Sequence, residues 1–156
     1  MPRFRKGGVV IITHQDVKAV HLREYEINGL EAVWADVMLN GLRVVVGSVY
    51  IAPGDIKALD IFDAVIGNIL SKHSLILIAT HANSGSSLWD DSCVGISSHT
   101  LSCRMGLRLQ DIISKRGLQV HDDGTPTYWS GKVATAPDVT ITKGFRDYGT
   151  VAYGGM

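Results

Sequence analysis

"LILIATHANSGSSLW", Leu75 to Trp89, is the stretch on which the fold turns. An unbroken apolar run, Leu75 to Ala79, stops abruptly at Thr80-His81-Ala82-Asn83. The small residues Ser84-Gly85-Ser86-Ser87 follow, and then Trp89. A short apolar run bounded by turn-forming residues reads as a buried strand. Such a strand, ending on a His and an Asn, delivers two polar side chains to one end of a sheet.

Upstream, residues 8–53 read as β. "GGVVIIT" (7–13) reads as a short buried strand and "VKAVHLREYE" (17–26) as a half-exposed one. "LEAVWADVML" (30–39) alternates, with Val33, Ala35, Val37 and Leu39 on one face. "LRVVVGSVYIAP" (42–53) is apolar on both faces, as a central strand is. Asn28-Gly29 and Asn40-Gly41 sit between these runs and favour type I′ turns, so an antiparallel meander is expected. Asp55 can cap a helix on which Ala58, Ile61, Phe62, Val65, Ile66, Ile69 and Leu70 share a face.

Downstream, residues 84–102 read as a long loop. A second helix is expected from about Arg104 to Arg116, its stripe Met105, Leu109, Ile112 and Ile113 and its stop Gly117. "LQVHD", "PTYWS" and "DVTIT" then read as strands, with turns at Asp123-Gly124 and Ser130-Gly131. Strands, helix, strand, helix, strands make an α/β (α+β) chain, with neither a dinucleotide-binding glycine fingerprint nor a P-loop.

Composition narrows the classes. The chain has 156 residues, enough for one domain with its own core, and is 46% hydrophobic and 19% charged, so it is globular. Lys+Arg and Asp+Glu are equal at 15 each. Zero net charge argues against an autonomous, tight nucleic-acid binder, whose affinity comes from neutralising phosphates. No apolar run reaches the roughly 20 residues of a membrane span, so no membrane association is expected. The basic start, Met1 to Lys6, lacks the apolar core of a signal peptide, and the two cysteines, Cys93 and Cys103, make no disulfide framework. Both point to a reducing intracellular location.

"SVYIAPGD", a helix, "LILIATHANSGSSLW", a long loop and helix, "LQVHDDGTPTYWS" and "PDVTITKG" occur in an order that resembles the endonuclease/exonuclease/phosphatase superfamily. More narrowly, the chain looks like the endonuclease domain of non-LTR retrotransposons, which are relatives of apurinic/apyrimidinic endonucleases and deoxyribonuclease I. The resemblance runs from about Gly7 to Lys143. It implies a partial four-layer α/β sandwich of the deoxyribonuclease-I-like type, with mixed and antiparallel strands and covering helices. It leaves residues 1–6 as a basic tail and 144–156 as a Gly-rich one. It also implies a Mg²⁺-dependent phosphodiesterase that acts on DNA, with the nucleus as its place of work.

The resemblance assigns residues one at a time. The family's central motif, Gly-Asp-x-Asn-Ala-His, closes a buried strand, and its Asp and Asn poise water beside a divalent metal. Here Asn83 matches, His81 stands where the Asp is expected, and Gly85 stands where a His is common. Tyr50 matches the Tyr that hydrogen-bonds the scissile phosphate. Asp138 matches the Asp that orients a catalytic His, yet no His follows it in this chain. The metal-binding Glu and its companion Asn belong upstream of Gly7. Ser87 and Trp89 match the loop, and Thr127 and Tyr128 the strand, that would meet DNA. With the metal Glu, the base Asp and the terminal His all missing or replaced, Mg²⁺ binding is expected to be weak or absent and activity at background.

Other readings stand beside these. His81 is a possible general base, or drift at a decayed site. Trp89 reads equally as a loop anchor and Tyr50 as a core aromatic. Cys93, His99 and Cys103 with His81 or His121 fit no usual zinc spacing. Arg104, Arg108, Lys115 and Arg116 read as a solvated helix face or a phosphate-facing one. A sandwich lacking its outer strands would leave "VVVGSVY" and "LILIA" beside open edges, which implies a homo-oligomer. The rival to a nuclease is therefore a non-catalytic binding or self-assembly module.

Overall fold

Residues 8–89, 101–122 and 124–145 are described by the structure, a computed structural model. The strand read from Leu75 onward is β4 (Ile76–His81), near the middle of a six-stranded mixed sheet. Its neighbours in space, from one edge to the other, are β1 (Ala19–His21), β2 (Glu31–Leu39), β3 (Leu42–Tyr50), β4, β8 (Asp138–Lys143) and β5 (Gln119–His121). β6 (Tyr128–Ser130) and β7 (Val133–Thr135) make a separate hairpin. Only the β3–β4 pair is parallel, because α1 (Ile56–Leu70) carries the chain across between them. This is the expected α+β class.

Local chemistry explains the elements. Asn40 and Gly41 have φ of +48° and +78°, the pair a type I′ turn needs, and they join β2 to β3. At Asn28-Gly29 only Gly29 is left-handed, and a 3₁₀ turn at Arg23–Tyr25 intervenes, so the expected hairpin is instead a longer connection. The expected strand at 17–26 shrinks to Ala19–His21, because Leu22 and Tyr25 turn into the core. Residues 8–13, expected as a buried strand, join no sheet, and Val10 and Ile12 are exposed. Asp55 caps α1, its carboxylate accepting from the Ala58 N–H at 3.0 Å. α2 (Leu101–Arg116) closes with Gly117 at φ +63°, the Leu118 N–H donating to Ile113 O and the Gly117 N–H to Ser114 O. That pattern is a Schellman motif.

The core lies between one face of the sheet and the two helices. Val45, Val49, Ile76, Ile78, Val139 and Ile141 meet Leu59, Phe62, Ile66, Ile69, Met105, Leu109 and Ile112 there. Each such side chain contributes about 1.5–3 kcal/mol when fully buried. Trp34 lies over Gly47 on the paired strand, where a Cβ would come within 2.3 Å of the indole. Three of the α2 cations, read as a solvated or a phosphate-facing face, instead bind α1. Asp63 accepts from Lys115 Nζ at 2.6 Å and Arg116 Nε at 2.9 Å, and Arg108 donates to Asp60 at 3.0 Å. Burial pushes the Asp63 carboxyl up, but Lys115 and Arg116 outweigh it and hold the group below its usual range.

The expected open edges beside β3 and β4 are not there. β3 pairs with β2 and β4, and β4 pairs with β3 and β8, while the edges are the three-residue strands β1 and β5. Strand alternation then decides what the opposite face of the sheet presents. Ser48, Tyr50, Ala79, His81, Asp138 and Thr140 share that face, because they stand in register across β3, β4 and β8.

Candidate functional site

Register alone brings three of the predicted residues together. Tyr50 is paired with His81 across β3–β4, and His81 with Asp138 across β4–β8. His81 Nδ1 lies 2.7 Å from Asp138 Oδ1. The Tyr50 ring stacks on the imidazole, with centroids 5.6 Å apart and planes inclined by 19°. An ionised carboxylate can only accept, so with Asp138 ionised Nδ1 is the donor of the pair. The two side chains are 37% and 50% exposed, so the pair orients the ring more than it stabilises the fold.

These residues line a cleft of about 780 Å³. Asp122, Thr127 and Trp129 also line it. Trp129 is 65% exposed. Adjacent strand residues point oppositely. Accordingly the β6 hairpin turns Trp129 to the cleft, and Tyr128, the residue chosen from sequence, is exposed but does not line it. Trp129 was legible only as the neighbour of Tyr128. His121 is a second histidine in the cleft, and its Nε2 lies 2.6 Å from Thr142 Oγ1. No Lys or Arg is among the described lining residues.

Asn83 does not join the group. Its φ is +47°, and its Nδ2 donates to Ile51 O at 2.9 Å, so it braces the backbone past the strand end. Trp89, expected to meet DNA, is 1% exposed, and its indole N–H donates to Ser84 O at 2.8 Å. It anchors the loop and offers no surface to a duplex. Ser87 is exposed on the same loop, and Thr127 is exposed at the cleft. The loop is pinned to α2 by the Gly85 N–H, which donates to Ser102 Oγ at 3.0 Å, and by Gly106, where a Cβ would meet Gly85 O at 1.8 Å.

A Mg²⁺ ion asks for several hard oxygens in octahedral array. Asp138 Oδ1 is taken by His81, and Asp122 Oδ1 accepts from the Gly124 N–H at 2.7 Å. Among the described residues no three His, Cys, Asp or Glu side chains converge as a metal site would require. The described donor set does not fit the ion. Cys93 and His99 of the zinc reading, Asp90 and Asp91 of the loop, Asp123 of the expected turn and the 146–156 part of the tail lie outside the described residues. No helix among the described residues is long and apolar enough to cross a membrane.

The mixed six-stranded sheet, with helices packed on one face and the cleft at its strand ends, is consistent with an endonuclease-like fold of the deoxyribonuclease I type. The structure is similar to the endonuclease domain of TRAS1, a telomere-specific non-LTR retrotransposon, with a TM-score of 0.65 and 18% identity. The match covers 85% of this chain and 58% of that one, so the chain spans little more than half of that structure. At that identity the likeness establishes the fold. No protein-family profile matches the sequence, and no curated protein matches it.

Proposed function

We infer that this chain is an endonuclease-like domain of retrotransposon origin in which metal-dependent phosphodiester hydrolysis is impaired. The observation that carries the reading is the His81–Asp138 pair. Where the resemblance asks for a carboxylate beside a metal, an imidazole stands, and it takes up the neighbouring Asp. Positioned acid–base groups are worth about 10²–10⁴-fold, and metal polarisation several kcal/mol more. An imidazole at residue 81 in place of that carboxylate removes the base the resemblance calls for, and hydrolysis is expected at background. DNA is the partner the fold suggests, approached through the exposed Ser87, Thr127 and Tyr128, and the nucleus is where such a domain works.

Incubation with supercoiled plasmid and millimolar Mg²⁺ tests this. The expected result is no nicking above a heat-inactivated control. Nicking that EDTA abolishes would overturn the reading.

The second reading is a non-catalytic binding or self-assembly module. Residues 8–13 favour it. They are unpaired, uncharged and β-branched from Val9 to Ile12, with Val10 and Ile12 exposed. Such a stretch is a ready strand for a second copy.

A further inference from the structure

We propose that the cleft receives the cationic side chain of a lysine or arginine presented by a peptide partner. This rests on the reading that the cleft is no longer a phosphodiesterase centre. The charge of the cleft comes first. Asp122 and Asp138 line it, and no described Lys or Arg does. Two carboxylates lining a cleft favour a cationic group there over a phosphate.

Geometry then chooses among cations. Hydrated Mg²⁺ needs converging oxygens, and these carboxylates are already engaged by His81 and the Gly124 N–H. An ammonium or guanidinium group needs less: one remaining carboxylate oxygen, and an aromatic face within about 6 Å. Asp138 is half exposed, so it has an oxygen to give, and the indole of Trp129 stands open beside the cleft.

The walls supply the third argument. Val9, Ala79 and Pro126 line the cleft with apolar surface. The β5–β8 register sets His121 opposite Thr140, so Asp122 falls at the same end of the sheet as Asp138. Both carboxylates therefore stand at one end of the sheet, in a cleft whose walls also carry apolar surface. A lysine or arginine side chain suits both, with methylenes along its length and charge at the tip. A free polyamine, with charges spaced along its chain, would lay some of them on the apolar walls.

An acetylated tetralysine peptide is the probe, titrated into the intact chain by calorimetry and by tryptophan fluorescence. Trp34 and Trp89 are buried, so the fluorescence change reports on Trp129. Saturable binding is expected, weakened about fivefold or more by Trp129→Ala and by Asp122→Asn. Circular dichroism checks that both variants stay folded. Equal binding by the variants, or no saturation by millimolar peptide, overturns the proposal. So does tighter binding of tetrathymidylate, Mg²⁺ or spermidine. Failure here leaves the impaired-nuclease reading standing, whereas plasmid nicking would sink that reading by a separate assay.

Discussion

His81 and Asp138, directly opposed on β4 and β8, share a hydrogen bond of 2.7 Å although 57 residues separate them in the chain. The pair defines the chemistry of the strand end. Replacing the imidazole by a carboxylate, His81→Asp, sets two like charges across one register position. Like charges directly opposed destabilise a sheet. The variant is expected to melt lower near neutral pH and to recover as the pH falls through the carboxylate range. It is not expected to nick plasmid, because a carboxylate at residue 81 finds no converging set of metal donors among the described residues. Calorimetry of the unaltered chain should show no Mg²⁺ site tighter than millimolar. Recovered cleavage, or a micromolar Mg²⁺ site, would contradict this account.

Asp63 joins the two helices. It is nearly buried and accepts from Lys115 and Arg116 together. Asp63→Asn keeps the shape and removes the charge, and hydrogen bonds to charged groups are worth about 1.5–3 kcal/mol. A loss of that order is expected in urea unfolding at neutral pH. The pH dependence follows from the lowered carboxyl pKa. A depressed folded-state value stabilises above the unfolded value of about 4, and the gain fades as pH falls through the folded one. The parent chain should therefore lose stability in acid, and the variant should lose less over the same range. Parallel pH profiles would remove Asp63 from that role.

Gly47 is fixed by Trp34. A Cβ at residue 47 would come within 2.3 Å of the indole. Overpacking of this kind costs about 1–3 kcal/mol. Gly47→Ala should lower the denaturant midpoint accordingly, and pairing it with Trp34→Phe should return part of the loss. A double-mutant cycle measures that coupling directly.

The sequence was most readable where one rule acted alone. The α1 stripe from Ala58 to Leu70, the Asp55 cap, the Gly117 stop and the Asn40-Gly41 turn each follow from local chemistry, and each stands as expected. β4 followed from its apolar run. Tertiary packing hid the rest. Tyr25 breaks the second strand because its ring goes into the core. The cations of α2 looked solvated because their acids, Asp60 and Asp63, lie on another helix. At the site, His81 and Asp138 could be matched singly, but only the antiparallel register joins them. Trp129 was hidden by strand parity, since nothing local tells which of two neighbouring aromatics faces the cleft.

Residues 8–13 yield the last prediction. "GVVIIT" contains no charge and no proline, the two devices that usually blunt an exposed strand. Its alternation is uneven in burial, with Val9 and Ile11 half-buried while Val10 is 66% and Ile12 86% exposed. One side of the segment therefore already rests on the protein, and the other shows two β-branched side chains to water. Its backbone joins neither sheet. Antiparallel pairing with the same segment of a second copy would satisfy the donors and acceptors of both at once, as a two-fold axis requires. Burying Val10 and Ile12 from each copy would contribute about 25 cal/mol per Å² of apolar surface removed from water. Sedimentation at micromolar concentration should then show a dimer in concentration-dependent exchange with monomer. Ile12→Lys puts a charge on the open side, where it meets its own copy across the axis, and should give monomer throughout without lowering the melting temperature. A parent chain that sediments as a monomer at every concentration would dispose of the strand-pairing account.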